Sequence, residues 1–261
     1  MFVEPRKMFG ENKTRTSEYL DCFIVSVDYS DILSVTLPHN RRHFRNVTII
    51  TSPDDQKNVQ LLADASGARV FVTDAFYRHG AKFNKWLALE EGLSSVPRKA
   101  WTCLLDADVL WPFHIDLDRI LRIGHLYTPR RRMCQTIPED RASIPEEGDW
   151  HLYPLHRQEV EFAGYSQIFH ADDHMLGTPP WHQVDWSHAG GADSFFQAKW
   201  PVERKVRPAF QVLHLGESGK NWFGRGKEGT EEMTAEMWRT RRERRAKGLD
   251  PFTEEKIITS P

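Results

Sequence analysis

The sequence predicts an α/β fold with a mostly parallel central sheet flanked by helices and a less regular second half. Through residues 22–105, short apolar runs alternate with segments of helical periodicity, the pattern of a doubly wound parallel sheet. The fourth run, residues 101–105, ends in Asp106 and Asp108. The 261 residues, 39% of them hydrophobic, suit one large domain with a substantial core.

The first half is expected to contain four strands and three helices. The strands are predicted at residues 22–27, 47–50, 69–73 and 101–105. The helices are predicted at residues 31–44, broken at Pro38, at residues 58–66, ended by Gly67, and at residues 82–93.

The second half is less regular in sequence. Residues 129–160, rich in Pro, Arg and Glu, and residues 177–191 are interpreted as loops. Strands are predicted at residues 162–170 and 205–215, a short helix at 192–200 and a charged helix at 230–248. The resulting division is an N-terminal arm (residues 1–20), one domain (residues 21–227) and a charged C-terminal helix and tail (residues 228–261).

Composition excludes several classes of protein. No apolar run approaches the roughly 20 residues that span a bilayer, so we expect a protein without a membrane partner, located in a cytoplasm. Cys22, Cys103 and Cys134 form no metal-binding or disulfide pattern, which favours reduced thiols. The formal net charge of −2 gives no overall attraction to a polyanion.

Asp106 and Asp108 are the strongest functional signal. Residues i and i+2 of a strand point to the same side, so both carboxylates would emerge at the carboxyl end of a buried strand. Open α/β sheets bind ligands at that edge. Hard oxygen ligands there suit Mg²⁺ or Mn²⁺ carrying a diphosphate. The alternative is a strand end with two solvated aspartates.

A second motif, HLGESGKNW at residues 214–222, adds a family resemblance. Together with Asp106-Ala107-Asp108, it makes residues 21–225 resemble nucleotide-sugar glycosyltransferases of the GT-A fold. The stretch is similar to the His-x-x-Gly-x-x-Lys-Pro-Trp motif of glycogenin-like enzymes. It departs from that motif by an early Gly216, one extra residue before Lys220, and Asn221 in place of proline. The layout also resembles small stand-alone glycosyltransferases of phages and bacteria, which would place the protein in the cytoplasm of a bacterial host.

The resemblance implies a metal site and a donor. Asp106, Asp108 and His214 would hold Mn²⁺ or Mg²⁺, while Lys220, with Trp222 beside it, would contact the diphosphate of a nucleotide sugar, most simply a UDP-sugar. A mixed oxygen and nitrogen ligand set suits Mn²⁺.

Four further residues are candidates for donor binding. Asp28 and Tyr29 follow the first strand, where a base would lie, and Tyr29 could stack on uracil or pack on the sheet rim. Asp55 could bind ribose hydroxyls or occupy a helix N-cap. Lys85 could reach a phosphate from the start of the third helix or lie on a solvated face.

Asp193 is the catalytic candidate. It follows Gly190-Gly191-Ala192 and opens a short helix. Inverting GT-A enzymes use an acidic residue at a comparable helix start as the general base on the acceptor hydroxyl. An N-cap role is the alternative, and a retaining enzyme needs no such base, so the stereochemistry stays open.

The acceptor is predicted from basic and aromatic residues. Arg41, Arg42 and Arg45 form one basic cluster, Arg130–Arg132 a second, and residues 239–247 a third, which includes Arg241 and Arg242. Trp181 and Trp186 could stack on a displaced base or lie in the core. The first expectation is transfer to a 5-hydroxymethylpyrimidine in phage DNA. Surface polysaccharide or another glycan is the alternative acceptor, and a nucleic-acid-binding protein without catalysis is the alternative class.

Overall fold

A computed structural model describes residues 19–97, 101–156, 162–185, 187–216 and 224–225, with Glu243 and Lys247 as isolated positions. It confirms the α/β fold class. A seven-stranded, mostly parallel sheet in the order β3-β2-β1-β4-β8-β6-β9 forms the centre, and a three-stranded sheet in the order β5-β10-β7 lies beyond its carboxyl edge.

The strands and helices have the following bounds. The strands are β1 Leu20–Val25, β2 Asn46–Thr51, β3 Arg69–Val72, β4 Trp101–Asp106, β5 Val109–Leu110, β6 Leu126–Tyr127, β7 Arg130–Cys134, β8 Ser166–His170, β9 Lys205–Val206 and β10 Gln211–Leu215. The α-helices are α1 Ser30–Asn40, α2 Gln56–Ser66, α3 Lys85–Ser94 and α4 Ala192–Gln197.

The first four strands are parallel, as the alternation predicts. β1 lies at the centre, between β2 on one side and β4 on the other. Both faces of this sheet carry apolar side chains, which separate into two core clusters, one around Ile24 and Leu105 and the other around Phe23 and Leu104. Burial on both faces explains why these strands read as continuous apolar runs.

The second half of the sheet is mixed, with antiparallel pairs of β8 with β4 and β6 and a parallel pair of β6 with β9, whereas the sequence predicted strands here without a direction. β8 runs antiparallel to β4, with Leu105 opposite Ser166, and β6 runs antiparallel to β8. Apolar content alone does not report strand direction, because a strand buried on both faces has the same pattern in either orientation. The predicted mostly parallel sheet is confirmed, and the antiparallel pairs of this sheet are those of β8 with β4 and β6.

Two element predictions in the second half are wrong. The single strand predicted at residues 205–215 is two strands in different sheets, with Pro208 in the intervening turn. The loop predicted at residues 129–160 contains β7, a strand with the sequence RRRMC. Its three consecutive arginines lack the alternation of apolar and polar residues that predicts a strand. The strand forms through its pairing with β10.

Helix ends follow local chemistry. Gly67 ends α2 in the left-handed conformation, with φ of 63°, as predicted. Pro38 lies inside α1, which continues to Asn40, so the predicted interruption does not occur. α3 begins three residues later than predicted, because the side chain of Asn84 caps it by accepting a hydrogen bond from the Leu87 N–H at 3.0 Å.

We predict that Asn84→Ala lowers the free energy of unfolding by about 1–2 kcal/mol. The substitution removes this cap and also the bond that the Asn84 amide donates to the Val184 carbonyl at 2.7 Å. Urea unfolding followed by circular dichroism measures the change. An unchanged midpoint would show that α3 does not depend on its cap.

The remaining expectations concern the two termini, the cysteines and a membrane. The predicted N-terminal arm lies almost wholly outside the described residues, as does the charged helix predicted at 230–248, apart from Glu243 and Lys247. The three cysteines are buried and unpaired. Among the helices described, none combines the length and apolar character needed to cross a bilayer.

Candidate active site

The site lies where the order of the strands reverses. The chain builds β1, β2 and β3 in one direction and then places β4 on the other side of β1. In open α/β sheets, the crevice at such a switch point is the usual ligand site. Asp106 is the last residue of β4 and pairs in register with Val25, the last residue of β1. Its carboxylate therefore stands at this crevice.

Pairing between strands distant in sequence brings His214 to the two aspartates. β5 follows Asp108 directly and runs antiparallel to β10, with Val109 opposite His214. The Leu215 N–H donates to the Asp108 carbonyl at 2.8 Å, which continues this pairing by one residue. As predicted, Asp106, Asp108 and His214 form one cluster.

The cluster has the chemistry of a divalent-metal site. One ligand atom from each of the three residues lies within 4.8 Å of the other two. Two ligand atoms that each lie about 2.1 Å from one ion are at most about 4.2 Å apart. A side-chain shift of under about one ångström would therefore bring all three ligand atoms into coordination distance of a single ion. Asp108 Oδ1 is buried without a hydrogen-bond partner and lies 3.4 Å from His214 Nε2. The three residues fit Mn²⁺ or Mg²⁺.

Burial shifts the pKa values of two residues of the cluster. Desolvation raises the pKa of Asp108 to about 6, against a partial opposing effect of Lys85. Desolvation and the charge of Arg131 lower the pKa of His214 to about 3, so this imidazole is neutral and can offer a lone pair to a metal. The side chain of Asp106 is 27% exposed against 8% for His214, so the cluster opens to solvent on the Asp106 side.

Three cations from separate parts of the chain act on the cluster. Lys85, the first residue of α3, forms an ion pair with Asp106. Arg131 on β7 and Arg225 both act on the carboxylate of Asp108, lowering its pKa. Of these three, the sequence predicted Lys85 as a site residue and placed Arg131 only in a basic cluster. Arg225 lies three residues beyond the HLGESGKNW motif, which was the available signal for it.

The predicted base-binding residues meet at the carboxyl end of β1. Asp55 is buried at the N-cap position of α2, but its side chain makes no cap hydrogen bond, and its Oδ2 instead accepts one from the Asp28 N–H at 2.9 Å. Burial raises the pKa of Asp55. The Arg225 guanidinium lies 5.0 Å from the centre of the Tyr29 ring and forms a bidentate ion pair with Asp31. Ribose and base binding by these residues remain predictions.

Asp193 lies at the start of α4, facing the same region. Its Oδ2 accepts a hydrogen bond from the Gly164 N–H at 2.8 Å. The next residue, Tyr165, accepts a bond from the Asp106 N–H at 2.9 Å through its carbonyl. A two-residue segment thus connects the predicted base to the metal cluster. The side chain of Asp193 does not cap α4, so the N-cap alternative lacks its hydrogen bond.

We predict that Gly164→Ala disturbs this connection. A Cβ at Gly164 would lie 2.7 Å from Trp86 Cη2 and 3.1 Å from Asp193 Cβ. Overpacking of this kind costs about 1–3 kcal/mol, and the displaced carboxylate should slow transfer more than it weakens nucleotide binding. Gly148→Ala is the matched control, because nothing lies within 4 Å of its new Cβ. Thermal unfolding and turnover measure both effects, and equal losses in the two variants would contradict the prediction.

The predicted acceptor residues are only partly described. The ring of Trp181 is 6% exposed and packs against Phe169, and its indole N–H donates to the Gly177 carbonyl, so it lies in the core. Trp186, Arg241, Arg242, Lys220 and Trp222 lie outside the described residues.

Arg41, Arg45 and Arg132, from two of the three basic clusters, are engaged within the fold. Arg41 donates to the carbonyls of Ser66 and Phe44, and Arg45 pairs with Asp21 at 2.6 Å. Arg132 donates to Gln211 at 2.7 Å. These contacts leave the prediction of a DNA acceptor without support from those residues.

Comparisons with known proteins give distant structural similarity. No family model and no curated protein matches the chain. Glucosyl-3-phosphoglycerate synthase from Mycobacterium tuberculosis, in complex with Mn²⁺, UDP and glucosyl-3-phosphoglycerate, aligns over 83% of this chain and 77% of its own, with 12% identity and a TM-score of 0.41. The inositol-1-phosphate CTP transferase from T. maritima aligns over 84% and 93%, with 7% identity and a TM-score of 0.42.

A shorter alignment involves a mycobacterial protein, with 19% identity and a TM-score of 0.32. It covers 44% of this chain and 41% of that protein, so the chain spans less than half of that relative. Identities and scores this low carry no substrate or activity from those proteins to this one.

Proposed function

We propose that the protein is a metal-dependent glycosyltransferase that moves a sugar from a nucleotide-diphosphate donor, most simply a UDP-sugar, to a hydroxyl acceptor. The observation that carries the proposal is the cluster of Asp106, Asp108 and His214 at the switch point of the sheet, within reach of Lys85. One buried and one partly exposed carboxylate, with a neutral imidazole, suit a divalent cation, and the adjacent ammonium favours an anionic ligand on that cation.

The chemistry follows from charge development. As the bond between sugar and diphosphate breaks, negative charge grows on the leaving group, and a bound divalent cation would neutralise it. Lys85 adds a positive charge on the same side. Asp193 is proposed as the group that takes the proton from the acceptor hydroxyl in an inverting reaction. A retaining reaction would leave Asp193 to orient the acceptor.

The acceptor remains a prediction. DNA bearing a hydroxymethylated base is the first expectation, and a glycan is the second. The residues that would decide between them, Trp186, Arg241 and Arg242, lie in the part of the chain without described coordinates.

A panel of nucleotide sugars with Mn²⁺ tests the proposal. Release of nucleoside diphosphate is measured with water alone, with hydroxymethylated DNA and with oligosaccharides as acceptors. We expect release from one donor and none with EDTA. Parallel incubations with CTP or UTP and sugar phosphates score pyrophosphate, the product of a nucleotidyltransferase. Pyrophosphate release without nucleoside-diphosphate release would replace the proposal, and binding of no nucleotide would overturn it.

A further inference from the structure

Arg131 is a cation without an anionic partner among the residues described. It is partly buried, and its Nε is shielded from solvent with no hydrogen-bond partner. Its guanidinium lies 4.5 Å from the centre of the Tyr165 ring, and Nη2 approaches His156 Nδ1 at 3.4 Å. Burial lowers the pKa of Arg131. A desolvated guanidinium is costly unless an anion pairs with it.

The same residue faces the metal cluster. The Arg131 guanidinium lies over the ring of Tyr165. The centre of the same ring lies 6.4 Å from the centre of the His214 imidazole. β7 and β10 are paired in register, with Val212 opposite Arg131 and His214 opposite Met133. Arg131 lies close enough to Asp106, Asp108 and Asp193 for each to act on its charge. Its guanidinium therefore lies near both the metal ligands and the proposed base.

We propose that Arg131 binds the diphosphate of the donor together with Lys85, so that the leaving group is held by a cation of α3 and a cation of β7. The proposal rests on the function proposed above. Guanidinium groups bind phosphate through several parallel N–H donors, and the partnerless Nε of Arg131 is one of them.

Charge balance favours an anionic ligand such as a diphosphate at this position. The carboxylates of Asp106 and Asp108 offset the charges of Lys85 and Arg131. A divalent cation added to this set would leave a surplus of positive charge, which a nucleoside diphosphate neutralises. The neutral form of His156, whose pKa burial and Arg131 lower to about 4, adds a polar ring beside the guanidinium without adding charge.

Calorimetric binding of UDP, UMP and uridine in the presence of Mn²⁺ tests the proposal. We expect Arg131→Gln to weaken UDP binding about tenfold to a hundredfold, the range of one or two charge-assisted hydrogen bonds. Uridine binding should be unchanged, because the role concerns the phosphates. Arg131→Lys keeps the charge but loses the fork of donors, so it should fold like the wild type and lose less UDP affinity than Arg131→Gln.

Arg132→Gln is the matched control. Arg132 is the next residue of β7, donates to Gln211 and to the Tyr153 carbonyl, and should bind UDP like the wild type. Equal UDP affinity in wild type and in both Arg131 variants would overturn the role of Arg131 alone. Equal losses for UDP and uridine would reassign Arg131 to maintaining the fold. A wild-type protein that binds no nucleoside diphosphate would overturn the proposed function and this role together.

Discussion

Replacing Asp108 with asparagine is expected to abolish metal-dependent nucleotide binding and transfer, while the metal-free protein becomes less sensitive to pH. The carboxylate is one of two acidic ligands in the cluster, and an amide cannot supply its charge. Loss of a metal's contribution amounts to several kcal/mol of transition-state stabilisation. Mn²⁺ titration and turnover measure the functional loss.

The pH dependence gives an independent readout on the same variant. Burial raises the pKa of Asp108 from 3.8 to about 6, so the folded protein binds more protons than the unfolded chain between these pH values. The wild-type stability contributed by this group is therefore highest at low pH and falls as pH rises to about 6. In EDTA, Asp108→Asn should gain up to about 3 kcal/mol relative to wild type between pH 4 and pH 8.

Asp173→Asn is the matched control for a buried carboxylate. Asp173 accepts hydrogen bonds from the Trp200 indole N–H at 2.9 Å and the Met175 N–H at 3.0 Å, outside the metal cluster. It should lose stability and keep Mn²⁺ binding, the opposite pattern. Turnover of Asp108→Asn at the wild-type rate, or wild-type turnover that EDTA leaves unchanged, would contradict the metal site.

His214→Ala is expected to reduce Mn²⁺ affinity at least tenfold to a hundredfold. Loss of a group that only supports a metal ligand typically costs this much affinity. Because His214 is proposed as a direct ligand, this range is a lower bound. Electron paramagnetic resonance of Mn²⁺ in the presence of UDP measures the free ion. Because His214 is buried and already neutral, its loss leaves no unpaired charge in the core.

The control for this variant is His174→Ala, which removes an exposed histidine outside the cluster. It should bind Mn²⁺ like the wild type. If His214→Ala and His174→Ala bind the ion equally, His214 is not a ligand. The metal ligands of the cluster would then be Asp106 and Asp108 alone. The resemblance of residues 214–222 to a glycosyltransferase motif would lose its physical basis.

The sequence by itself determined the parallel half of the sheet and the position of Asp106 and Asp108. Those strands are short apolar runs separated by helices with clear stop signals, such as Gly67, so local patterning and connectivity decide them. Asp106 ends β4 as predicted, but Asp108 lies in the turn between β4 and β5, so strand alternation alone does not place the two carboxylates together. His214 was predicted as a ligand from the family resemblance alone. Its neighbours in sequence did not indicate how close it lies to the two aspartates.

Only the tertiary structure decided how the second half completes the site. The antiparallel pairing of β5 with β10 places His214 beside Asp108, across more than a hundred residues of chain. The sequence did not predict Arg131 as a site residue, because three consecutive arginines do not have the pattern of a strand. The partner strand of β7, β10, is also far away in sequence. Pairing between distant strands depends on backbone hydrogen bonds, which every residue but proline can make, so side-chain pattern carries little information about it.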